Sequence, residues 1–320
     1  MALKIQMRET ELAIIGAGVA GLTAAMTAAR HGLEVLVVER LGAGGQIMNV
    51  ERIDDFPGFP DGIAGIELGP RLQEQAEAAG AAFALDQVEA LTRRSDGRHV
   101  LCCADEDIAA RAVVIATGSA RRRLGIPGEE LLTGRGVSEC AGCDGPLFGG
   151  QVVGVVGGGD SAFSEALALA RHVQRIHVIF RASEPHAQHV LVEALRACDN
   201  VEFHPGCEVF AIHGETAVEG LLLRSRAGDD RLLEVRGVFV YAGLKPESGF
   251  AGNSLELDDE GRIVADDSLQ TSLPGVFVAG DIRSGAPFLL ATAAGEGAHA
   301  ALSALAWLRR ESPDREEDVK

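Results

Sequence analysis

The chain has 320 residues, 47% apolar and 24% charged, with a formal charge of −18. That length suits two domains of ordinary size, and the charge argues against nucleic acid and anionic membranes, which need clustered Lys and Arg. No apolar run approaches the roughly 18 residues that span a bilayer, and the opening MALKIQMRETELAIIG lacks the pattern of a secretory signal, so a soluble, cytoplasmic protein is expected.

In chain order, LAII (12–15), a helix to about His31 and VLVVE (35–39) predict a βαβ unit. AVVIATGSA (112–120) ends a strand-rich stretch, and the unit restarts with VVGVV (152–156), a helix over about 160–171 and IHVIF (176–180). GVFVYAGLKPES (237–248) ends a second strand-rich stretch, and a helix-rich tail follows GVFVAGD (275–281). The expected class is α/β: two Rossmann-like, three-layer ββα dinucleotide-binding domains, the second inserted into the first. Residues 1–120 and 247–320 form the first, and 121–246 the second. The basic runs RRSDGR (93–98) and RRR (121–123) are expected to be solvated, and ESPDREEDVK (311–320) to fray.

With 40 glycines in the chain, a chance GxGxxG is expected about 0.6 times, so spacing alone decides nothing. Context rejects GEGAHA (295–300), which reads as mid-helix. Gly16, Gly18 and Gly21 instead follow a strand and open a helix, and Glu39 ends the next strand. The glycines permit a tight turn and a pyrophosphate at the helix N-terminus, while Glu39 suits ribose hydroxyls. Gly157, Gly159 and Ala162 repeat that context, but Phe180 stands where an acid would favour NAD, and Arg181 is followed by Ala182. The second unit is either a nicotinamide site or a retained fold without one.

Among six cysteines, Cys140-Ala141-Gly142-Cys143-Asp144-Gly145 has informative spacing. A thiolate attacks a disulfide, so one cysteine must meet the substrate and the other the electron source; Asp144 either moves the proton or caps a turn. Half a zinc site is the alternative, but no second ligand pair follows at a suitable spacing. Cys102, Cys103, Cys198 and Cys207 read as packing residues, and the histidines form no obvious cluster, so no metal is expected.

GAGVAG (16–21), GGQ (44–46), FPGFP (56–60), ATGS (116–119), CAGCDG (140–145), GGGDSA (157–162) and VFVAGD (276–281) together resemble the low-molecular-weight thioredoxin reductases over nearly the whole chain. The resemblance implies FAD contacts from Gly16, Gly18, Gly21, Glu39, Arg40, Gly44, Gly45, Gln46, Asn49, Val88, Thr117, Gly118, Gly280 and Asp281, with Asp281 on the ribityl chain. Gly157, Gly159, Ser161 and Arg181 would contact NADPH or NADH. It further implies that Cys143 faces the flavin, Cys140 attacks the substrate and Asp144 is the acid-base group. FAD would pass two electrons to the disulfide, which then reduces thioredoxin or a similar protein, in a homodimer. The family's His-Arg-Arg and later Arg for NADPH are here Phe180, Arg181, Ala182 and His186; its basic residue and Gln before the final helix align with Phe288 and Leu289, and an Asn before the PGF segment is Asp55. The competing readings are a ferredoxin-type donor, or a flavin-dependent dithiol oxidase.

Overall fold

The computed structural model describes residues 7–311, so the expected charged tail beyond Glu311 lies outside the described residues. The chain divides into two units, one taking it up to Ala120 and again from Lys245, the other spanning Arg121–Leu244.

The first unit opens with β1 (Arg8–Ile15), α1 (Val19–Arg30) and β2 (Val35–Glu39), followed by α2 (Gly65–Ala78), β3 (Ala82–Leu85), β4 (Val88–Arg93), β5 (His99–Cys103) and β6 (Ile108–Ile115). Then β7 (Ser119–Arg121) leads out of it. Strands β3, β2, β1 and β6 run parallel, and β5 and β4 add an antiparallel meander.

The second unit repeats the plan. It contains α3 (Glu129–Leu132), β8 (Val137–Ser138), α4 (Ala141–Asp144), β9 (Val152–Val156), α5 (Asp160–Ala170), β10 (Arg175–Phe180), α6 (His189–Arg196), β11 (Val201–Pro205), β12 (Cys207–His213), β13 (Gly220–Ser225), β14 (Asp230–Glu234) and β15 (Gly237–Val240). Its parallel sheet has the order β11-β10-β9-β15-β8, and β12-β13-β14 form the meander. The chain returns through β16 (Leu244–Pro246), paired with β7, and the first unit closes with β17 (Val276–Val278) and α7 (Leu290–Arg310). GEGAHA lies within α7, as its context indicated.

The continuous apolar runs follow from burial on both faces, because side chains alternate along a strand while helices cover one face and the meander the other. Leu12 and Ile14 pack with Leu22, Ala25 and Phe277, whereas Ala13 and Ile15 pack with Leu91 and Leu101. In the second unit Val153 and Val155 join Phe163 and Leu169 on the helical side, and Val156 joins Val209 and Leu221 on the other. Among the described residues, no helix is long and apolar enough to cross a membrane.

Of the cysteines outside the CxxC, Cys102, Cys103 and Cys198 are half-buried and Cys207 is buried. Cys207 is buried in β12, and burial pushes the Cys103 thiol up to about 12, with Asp86 adding to the effect. His99, fully buried, has Nε2 3.1 Å from the Pro274 carbonyl oxygen. Burial, reinforced by the Arg93 charge, lowers its pKa to about 4. The folded protein therefore excludes a proton that the unfolded chain binds below its ordinary pKa, and stability from this group falls as pH drops from 6.5 to about 4. The expected loss is roughly 3 kcal/mol at most. Urea unfolding at both ends of this window should show a smaller loss in His99→Gln than in the wild type.

Candidate functional site

In the first unit the turn between β1 and α1 is built around absent side chains. Gly16 has φ +100°, and a Cβ there would lie 2.5 Å from the Ala116 oxygen; on Gly21 it would lie 1.9 Å from the Gly16 oxygen. Gly18, the residue capping α1, instead faces open space, with nothing within 4 Å of a Cβ. The free N–H groups of α1 thus meet a cradle that a pyrophosphate can enter.

Glu39 serves the backbone of this cradle. One carboxylate oxygen accepts from Ala17 N–H at 2.8 Å and the other from Leu41 N–H at 3.0 Å. Gly44 N–H donates to the Ala17 oxygen at 2.8 Å, and Gln46 Nε2 donates to the Ser119 oxygen at 2.6 Å. Arg40 pairs with Glu247 at 3.5 Å, and Thr117 Oγ1 donates to the Glu247 oxygen at 2.9 Å. Gly45, Gly118 and Gly280 all take positive φ. Asn49 is exposed and Val88 half-buried at the start of β4.

Burial raises the pKa of Asp281, opposed by Arg262 and aided by Glu296. A carboxyl so placed suits a hydroxyl-bearing ligand. Phe288 takes φ +57° and lies exposed, its ring centre 4.6 Å from the Arg262 guanidinium carbon. These residues fit a flavin dinucleotide: an open glycine cradle at a helix N-terminus, a fixed carboxylate at Glu39 and a partly desolvated acid at Asp281.

In the second unit Cys140 and Cys143 form a disulfide, with their Cα atoms 5.3 Å apart. Cys140 caps α4, its sulfur accepting from Cys143 N–H at 3.1 Å; Cys140 is half-buried and Cys143 exposed. Asp144 is held by Ser138, whose hydroxyl donates to Oδ2 at 2.6 Å and accepts from Cys140 N–H at 3.1 Å. Beneath the turn, Glu165 Oε2 accepts from Ala141 N–H at 2.8 Å and from the Tyr241 hydroxyl at 3.1 Å. Ser138, Glu165 and Tyr241 are absent from the sequence-derived set. A buried acid on the apolar helix DSAFSEALALA was the one available signal. Arg121 corrects the expectation of a solvated RRR run, since its guanidinium carbon lies 5.1 Å from the centre of the Tyr241 ring.

The second glycine turn repeats the first. A Cβ on Gly157 would lie 2.5 Å from the Tyr241 oxygen, while Gly159 is open at the start of α5. Ser161 and Arg181 are exposed beside it. Phe180 is buried against Gly158, so the end of β10 contributes packing where an acid would contact ribose. The segment after it is strapped down by His186 N–H to the Gly158 oxygen at 2.8 Å and Gln188 N–H to Asp160 Oδ1 at 2.6 Å.

Parallel pairing of β10 and β11 also gathers a group that the sequence reading missed: His177, Glu202 and His204, with ligand atoms within 4.8 Å of one another. Arg231 donates to His204 Nδ1 at 2.7 Å, which leaves the proton on Nε2, facing His177 Nδ1 at 2.9 Å. Burial lowers the pKa of His204 to about 4, with His177 and Arg231 adding to it. These contacts make a hydrogen-bond chain from the Arg231 guanidinium through the two imidazoles, with the Glu202 carboxylate 3.6 Å from each.

Residues 10–297 match the pyridine nucleotide-disulphide oxidoreductase family. A thioredoxin reductase of Mycolicibacterium smegmatis is 42% identical over 93% of this chain and 96% of its own length. A bifunctional thioredoxin reductase/thioredoxin of Mycobacterium leprae is 40% identical over 93% of this chain and 66% of its own. The thioredoxin reductase structure from Lactococcus lactis superposes with a TM-score of 0.91, at 34% identity, covering 94% of this chain and 99% of that one.

Glu39→Ala removes both backbone anchors of the cradle, each a hydrogen bond to a charged acceptor worth roughly 1.5–3 kcal/mol. FAD affinity, read from flavin retained on dialysis, should fall at least about tenfold.

Proposed function

The chain belongs to the pyridine nucleotide-disulphide oxidoreductase family as an FAD-dependent disulfide oxidoreductase of the thioredoxin reductase type, and on that premise we propose that electrons leave it through Cys140 and Cys143 to a thioredoxin disulfide. The observation that carries this reading is the closed disulfide on an exposed turn, with a hydrogen-bonded carboxylate one residue after it. The relative with both activities in one chain supports thioredoxin, or a protein like it, as the partner.

FAD, when bound, supplies the electron pair that opens the disulfide. Gly16, Gly18 and Gly21 would hold its pyrophosphate, with Glu39, Arg40, Gly44, Gly45, Gln46, Asn49, Val88, Thr117, Gly118 and Gly280 around it and Asp281 on its ribityl hydroxyls. In the dithiol, the Cys140 thiolate attacks a sulfur of the partner disulfide and forms a mixed disulfide. Cys143 then attacks Cys140 Sγ, which restores the ring and releases the partner dithiol. Asp144, oriented by Ser138, delivers the proton to the leaving thiolate. A cytoplasmic homodimer is the expected setting.

For the donor, the open α5 N-terminus at Gly159 favours a nicotinamide nucleotide, held by Gly157, Ser161 and Arg181. Buried Phe180 and the neighbouring Ala182 favour the second reading, a donor of ferredoxin type. Anaerobic stopped-flow mixing separates them. With NADPH or NADH, the oxidised-flavin absorbance should bleach within seconds, and Arg181→Ala should weaken the NADPH response specifically if that residue meets the 2′-phosphate. No bleaching with either nucleotide, while dithionite still reduces the enzyme, would overturn the nicotinamide assignment.

A further inference from the structure

We propose that Glu165 is a positioning residue of the redox centre: its buried carboxylate fixes the turn carrying Cys140 and Cys143 and biases that pair towards the disulfide. The proposal rests on the reading of these cysteines as the redox pair. Glu165 is 8% exposed and sits on the face of α5 that enters the helical-side core with Ala162, Phe163, Ala166 and Leu169. An acid at such a place is expensive to desolvate and persists only where its oxygens are used.

One oxygen is used twice. Ala141 lies between the two cysteines, and its N–H is committed to Glu165 at 2.8 Å; the Tyr241 hydroxyl reaches the same oxygen at 3.1 Å. Tyr241 ties this contact to the end of β15, under the Arg121 guanidinium. Burial, with the Glu165 charge adding to it, pushes the Tyr241 hydroxyl above the ordinary phenol range, so it remains a donor. The groups around the turn include Glu165 from α5, Tyr241 just after β15, Arg121 from β7, and Asp144 with Ser138 from the turn and β8.

The electrostatic consequence has a definite sign. Reduction takes up two electrons, breaks the Sγ–Sγ bond and leaves two thiols, of which one ionises to act as the nucleophile. The Glu165 carboxylate, bonded to the N–H of the residue that follows Cys140, disfavours that thiolate. The Cys140 sulfur keeps the Cys143 N–H as its donor, so the charge of Glu165 is what separates the two oxidation states. Where that thiol is ionised, this destabilises the reduced form relative to the disulfide and makes the dithiol a stronger reductant.

The test equilibrates purified holoenzyme with dithiothreitol redox buffers and counts enzyme thiols, for the wild type and for Glu165→Gln. Glutamine keeps an acceptor for Ala141 and removes the charge. At a pH where the thiolate predominates, the dithiol–disulfide equilibrium should move towards the dithiol by about tenfold, roughly 30 mV for this two-electron couple. Alkylation of the reduced variant by iodoacetamide should reach half its maximal rate at lower pH than in the wild type. A purely structural role would lower the melting temperature and leave both readouts in place, and an unchanged equilibrium overturns the proposal.

Should Glu165→Gln not fold, Tyr241→Phe supplies the second arm. It keeps the ring and leaves the carboxylate less neutralised, so the equilibrium should move towards the disulfide; no shift, or the reverse shift, overturns the proposal. If the wild-type thiols cannot be formed in any of these buffers, the redox reading of Cys140 and Cys143 falls, and this proposal with it.

Discussion

Gly21 approaches Gly16 so closely that a single added carbon would sit 1.9 Å from a carbonyl oxygen. Much of the first unit depends on this contact. It allows α1 to start directly above the end of β1, which points the free N–H groups of its first turn at the open space beside Gly18. The same helix is pressed from its other side by α7, where a Cβ on Gly297 would lie 2.1 Å from the Ala20 oxygen. Small residues along α1 thus let two backbones approach it. The second unit uses the same device at Gly157, packed against the Tyr241 backbone and Ala162.

The redox turn shows how a fold of this kind supports a short reactive segment. Helix α4 is four residues long and has little intrinsic stability of its own. Its shape comes from outside contacts: Ser138 before it, Glu165 beneath it and Tyr241 behind Glu165. The two glycine turns and the cysteine turn are alike in that each follows the C-terminal end of a sheet strand, β1, β9 or β8.

What the sequence made legible were features set by neighbouring residues. The runs at 12–15 and 152–156 are continuously apolar because both faces of those strands are covered, and they lie in β1 and β9. The glycine spacings and the CxxC are local too. Contacts set by register or by helix packing were not legible. Glu165 reaches the cysteine turn only because α5 packs against α4, and His177 meets His204 only because β10 and β11 pair in one register. Arg121 read as one of three solvated arginines because nothing nearby in the chain announces Tyr241. Glu39 was legible as an acid at a strand end, yet its two backbone contacts depend on how the loops at 17 and 41 fold around it.

The claim at the centre is that Cys140 and Cys143 form an electron store alongside the flavin. Anaerobic titration of the holoenzyme with dithionite, beside the same titration of Cys140→Ser, measures this directly. The wild type should take up one electron pair more per flavin than the variant and gain titratable thiols to match. Equal uptake by the two proteins would contradict it, leaving Cys140 and Cys143 outside the path of the electrons.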